Sequence, residues 1–66
     1  MEIQLNGEPY YLDQAMTIET LVKHLGLDLN KVAVERNQKV VVRSQHGTTP
    51  VNEGDAIEII HFIGGG

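Results

Sequence analysis

Sixty-six residues make one small domain, which buries only about 60% of the surface its unfolded chain exposes and so has no room for a large active-site cleft. Nine Asp and Glu against five Lys and Arg leave a net charge of −4, the wrong sign for neutralising phosphates or anionic lipid, so nucleic acid and membrane surfaces are excluded as partners. With no cysteine there is no disulfide, no thiolate nucleophile and no thiolate metal site, and an apolar share of 41% must hold the fold unaided.

The opening Met1-Glu2-Ile3-Gln4-Leu5 has neither a basic nor an apolar leader, and no apolar run approaches the roughly 18 residues of a membrane span, so a cytoplasmic protein is expected. In that segment apolar and polar residues alternate, with Ile3 and Leu5 on one face, and Glu8 to Leu12 forms a second short run. Asn6-Gly7 between them predicts a hairpin, because a type I′ turn needs positive φ at both central positions. From Thr17 the period changes. Ile18, Leu21, Val22 and Leu25 fall at i, i+3, i+4 and i+7, which predicts an amphipathic helix over 18–25 with Thr17 as N-cap and Gly26 at its end.

Val32-Ala33-Val34 and Val40-Val41-Val42 are β-branched runs around Asn37, which reads as a second hairpin. Ser44 to Glu53 has no periodicity and reads as a surface connection. Glu53-Gly54-Asp55 then turns the chain into Ala56–Ile63, the longest and most apolar strand, which belongs at the centre of a sheet. A hairpin, a helix across one face and a return strand parallel to the first give a small mixed α+β sheet of the ubiquitin-like β-grasp kind. Ile3, Leu5, Ile18, Leu21, Leu25, Val34, Ile57 and Ile59 are the expected core.

Catalytic constellations are absent: no phosphate-binding glycine loop and no metal-ligand spacing occur. His24, His46 and His61 are scattered over three elements and read as surface or half-buried side chains. Asp55 and Glu58 read as part of a solvated face. Residues 64–66, Gly64-Gly65-Gly66, form a short tail behind a 1–63 domain. Three glycines alone describe a frayed terminus. Their alternative use is chemical: a carboxylate threaded through a narrow channel needs residues without a Cβ, and three of them reach about 10 Å. With Ile57 and Ile59 facing the core, Glu58, Ile60 and Phe62 face outward, and two large apolar side chains beside such a carboxylate make a docking patch. The competing placement covers Ile60 and Phe62 with the connection from Ser44 to Glu53.

Leu5-Asn6-Gly7, Thr17-Ile18 with Leu21 and Val22, Val32-Ala33-Val34-Glu35-Arg36-Asn37, Arg43-Ser44 and the closing run from Glu53 to Gly66 together resemble the ThiS family of thiamine-pathway sulfur carriers nearly end to end. Val42 departs from the resemblance, since such sequences often carry proline before the Arg-Ser pair, and local strand geometry is the point at issue. The resemblance implies a co-substrate, not an enzyme. The Gly66 carboxylate would be adenylated with ATP by a partner E1-like enzyme, and sulfur from a cysteine desulfurase or another persulfide donor would displace AMP. The resulting thiocarboxylate would serve thiazole synthase. No cofactor is expected on the carrier itself, and a monomer is expected when it is free. Gly64, Gly65, Ile60, Phe62 and Glu58 would contact partners. Alternatives are a carrier serving molybdopterin or tRNA thiolation, and a non-covalent β-grasp binding module with a passive tail.

Overall fold

A computed structural model describes residues 1–62 of the chain. Strand β1 (Glu2–Leu5) turns through Asn6-Gly7 into β2 (Glu8–Tyr11), with Leu5 opposite Glu8 and φ of +51° and +83° at the two turn residues. Both angles lie where the Asn-Gly pair is least strained. A two-residue strand β3 (Met16–Thr17) leads directly into helix α1 (Ile18–His24). Thr17 caps the helix, its Oγ1 accepting from Thr20 N at 3.3 Å. Gly26 ends it at φ +76°, with Gly26 N donating to Lys23 O and Leu27 N to Val22 O, the paired bonds of a Schellman stop.

A 3₁₀ turn (Leu29–Lys31) precedes β4 (Val32–Arg36), and a left-handed Asn37-Gln38 pair joins it to β5 (Lys39–Val40). The expected run Val40-Val41-Val42 stays in strand only at its first residue. Val42 instead caps a second 3₁₀ turn (Arg43–Gln45). The segment read as a plain surface connection also contains β6 (Pro50–Val51), which pairs with β3 and buries Val51. Strand β7 (Ala56–His61) follows.

The main sheet runs β2-β1-β7-β4-β5, so the most apolar strand is central, parallel to β1 and antiparallel to β4. Ile3, Val32, Val34, Ile57 and Ile59 point to one face and meet Ile18, Leu21 and Val22 of α1. Leu12, Met16 and Val51 complete this core, while Leu5 and Leu25, expected inside it, are half-buried at its edge. Each fully buried aliphatic side chain contributes about 1.5–3 kcal/mol relative to exposure, which is how so short a chain holds a sheet without staples.

Two polar residues are fully buried, Asp55 against the expected solvated face and His46 beyond the expected surface or half-buried placement. His46 is 2% exposed, its Nε2 2.9 Å from Val41 O, and its carbonyl accepts from Glu19 N at the start of α1. It pins the segment after β5 against the helix, a contact with no local sequence signal. Asp55 is 6% exposed because Arg36 and Asn37, at the far end of the second hairpin, close over it.

Candidate functional site: the open sheet face and the end of β7

Alternation along β7 sends Ile57 and Ile59 into the core and leaves Ala56, Glu58 and Ile60 on the face that no helix covers. Phe62 continues the pattern, since its N–H donates to Lys31 O at 2.7 Å and extends the β4–β7 register by one more pair. Ile60 and Phe62 are 61% and 51% exposed. The 44–53 segment packs on the opposite side, at β3 and α1, and so does not cover them. Three expected contact residues, Glu58, Ile60 and Phe62, are thus brought to one surface. Gly64, Gly65 and Gly66 lie outside the described residues, as does the expected 63/64 boundary.

Glu58 is opposed in register by Glu35 of β4, both side chains exposed on this face. Directly opposed like charges destabilise a strand pair. The ion pairs among the described residues are Lys23–Glu19 and Arg36–Asp55, so neither carboxylate is in an ion pair with any of those residues. They flank a concavity of about 370 Å³ that Gln4, Gly7 and Gln38 also line. Sequence reasoning missed Glu35 because cross-strand register, which alone makes it a neighbour of Glu58, is not written in either strand.

Two asparagines fix β7 between its neighbours. β1 leaves the sheet at its turn, and the Asn6 carboxamide takes over its ladder: Ile59 N donates to Oδ1 at 2.8 Å and Nδ2 donates to Ile59 O at 3.3 Å. On the other side Ala56 N donates to Asn37 Oδ1 at 2.9 Å, and Asn37 N donates to Ala56 O at 2.7 Å. The central strand is therefore held at Ala56 and at Ile59 by turn residues on its two sides.

Among the described residues no group of three or more His, Asp or Glu is placed to hold a metal ion, and no helix is long and apolar enough to cross a membrane. The described residues thus offer a rigid sheet face with an apolar and acidic surface beside the exit of its central strand. Together with the sheet order this defines a ubiquitin-like β-grasp fold.

Comparison with known proteins narrows that class. The model of the ThiS family matches residues 3–66. Sulfur carrier protein ThiS of Bacillus subtilis is 34% identical over 65 residues, covering 97% of this chain and 98% of that one. The crystal structure of the thiamine biosynthesis protein ThiS from Geobacter metallireducens superposes with a TM-score of 0.86 at 33% identity, covering all of both chains. The chain belongs to the ThiS family. A thiazole synthase of Magnetococcus marinus is 50% identical over all 66 residues, and the chain spans only 20% of its length.

Proposed function

We propose that this chain carries sulfur as a thiocarboxylate on Gly66 for assembly of the thiazole ring of thiamine. The family match that includes the closing glycines carries the reading. A carboxylate is a poor electrophile because its leaving group would be oxide. Attack of the Gly66 carboxylate on the α-phosphate of ATP, in a partner adenylating enzyme, releases pyrophosphate and leaves an acyl-adenylate. The terminal sulfur of a persulfide on a cysteine desulfurase or similar donor then displaces AMP to give an acyl disulfide. A thiol attacking the donor's sulfur breaks the S–S bond, releasing the thiocarboxylate and leaving a disulfide on the donor. ATP is thus consumed at the partner's site, and the carrier needs no cofactor of its own.

Thiazole synthase is the proposed acceptor. The relative named for that enzyme is support for it, because a carrier-like segment within a longer synthase places donor and acceptor on one chain at high effective concentration. Ile60 and Phe62 would form the apolar centre of the docking face, and Gly64 and Gly65 would pass through the partner's channel. The Glu35–Glu58 pair gives the partner's chemistry: a lysine or arginine reaching this face relieves a repulsion already present in the free domain.

The test is intact mass with C-terminal fragmentation after incubation with an active adenylating enzyme, a desulfurase with cysteine, a reducing thiol and ATP. Replacement of one oxygen by sulfur at Gly66 is the expected result. An unmodified terminus with demonstrably active partners would overturn the carrier reading in favour of a non-covalent module. Gly65→Ala should fold normally and fail at adenylation, whereas normal adenylation would refute the channel.

A further inference from the structure

Asn6-Gly7 is the kind of dipeptide in which an asparagine most easily loses its side-chain amide. The nitrogen of the following glycine is unhindered by any Cβ and can attack the Asn Cγ. A bond forms between that nitrogen and Cγ, the Cγ–Nδ2 bond breaks, and ammonia leaves carrying the proton given up by the glycine amide. Water then opens the resulting succinimide at either carbonyl, yielding aspartate or isoaspartate with no redox change.

In the folded chain the carboxamide faces the other way. Oδ1 accepts from Ile59 N at 2.8 Å, Nδ2 donates to Ile59 O at 3.3 Å, and the Asn6 main chain is itself tied to Ile57 O at 2.9 Å. Swinging Cγ toward the Gly7 nitrogen breaks both side-chain bonds and leaves the main chain of Ile59 unpaired in a half-buried place. We infer that Asn6-Gly7 is a folding-gated deamidation site, protected while its side chain completes the β1–β7 ladder and labile once that ladder opens. Conversion is one-way and damages its own protection. The aspartate product sets a carboxylate oxygen against Ile59 O where a donor had been, and isoaspartate adds a methylene to a two-residue turn whose register pairs Leu5 with Glu8. The affected strand is the one that presents Ile60 and Phe62.

Asn37 provides an internal control. It too has positive φ and has its carboxamide engaged, by Ala56 N and Asp55, but Gln38 follows it and crowds the attacking nitrogen. The experiment uses the full chain in mildly alkaline buffer, with and without urea beyond the unfolding midpoint, and peptide mapping that separates aspartate from isoaspartate. Asn6 should convert about tenfold or more faster in urea, because the native rate is scaled by the fraction of open chains, while Asn37 changes little in either. Equal rates at Asn6 in native buffer and urea would overturn the gating. Asn6→Asp, the product, should lower the urea midpoint, with failure to fold as the limit of that result, and an unchanged or raised midpoint would overturn the claim of self-inflicted damage.

Discussion

Arg36 Nε lies 2.8 Å from Asp55 Oδ2, joining the last residue of β4 to the residue that precedes β7. The same carboxylate accepts from Asn52 N–H at 2.8 Å and Asn37 Nδ2 at 3.1 Å, so one buried side chain ties a turn, a hairpin and the central strand. Burial raises the Asp55 carboxyl, but the Asn52 main-chain bond, the Arg36 and Asn37 bonds and the Arg36 charge outweigh it and hold the group below the usual carboxylate range. A folded-state value below the unfolded one means that the unfolded chain protonates first as pH falls. The stabilisation is therefore complete well above the unfolded value of about 3.9 and is lost as pH falls through the depressed folded value. The urea midpoint should hold steady from neutrality to about pH 5 and drop below about pH 4. Asp55→Ala should cost about 2–4 kcal/mol at pH 7 and flatten that acid limb.

Val42 sits at φ −64°, ψ 148°, the dihedrals proline prefers, and its side chain is 52% exposed. The position at which the resemblance leads to an expected proline thus keeps, with valine, the backbone a proline would impose. Val42→Pro removes no hydrogen bond seen among the described residues and narrows the unfolded ensemble. It should stabilise the chain by about 0.4–1 kcal/mol, read as a higher urea midpoint with an unchanged m-value. A lower midpoint would show that Val41 cannot tolerate a following proline.

His46 is buried with one ring nitrogen bonded to Val41 O and the other, Nδ1, without a partner. His46→Ala leaves a cavity and an unsatisfied Val41 carbonyl, and should destabilise by about 2–4 kcal/mol. His46→Leu restores most of the volume and also removes the orphaned nitrogen, so it should recover part of the loss. Equal midpoints for the two variants would mean that ring packing contributes nothing.

What could be read in advance follows from where the information lies. The Asn6-Gly7 turn, the Thr17-capped helix and the central place of β7 are local signals, carried by dipeptides, periodicity and β-branched runs, and each is found in the structure. Asp55 was placed on a solvated face and His46 no deeper than half-buried because the contacts that cover them, Arg36 and Asn37 over Asp55 and the start of α1 against His46, are distant in sequence. Val51 was missed for the same reason, since a two-residue strand has no period. At the candidate site the outward placement of Glu58, Ile60 and Phe62 was legible from alternation, whereas Glu35 required the register.

Glu58 and Glu35 separate function from stability with opposite signs. Replacing Glu58 with Gln removes the cross-strand repulsion and should raise stability by about 0.2–1 kcal/mol. The same change removes half of the charge offered to a basic partner, so association with the adenylating enzyme or thiazole synthase should weaken, mostly in the on-rate and more at low salt than at high. Ile60→Asp, which sets a third carboxylate beside Glu58 and Glu35, should lower stability by only about 1 kcal/mol, leaving the chain folded, yet reduce partner affinity by about tenfold or more. Calorimetric or surface-based binding at two salt concentrations, alongside urea titrations of each variant, measures both quantities. If Glu58→Gln gained stability and bound partners as tightly as wild type, the acidic pair would have no part in docking, and if Ile60→Asp bound normally the uncovered sheet face would not be the interface.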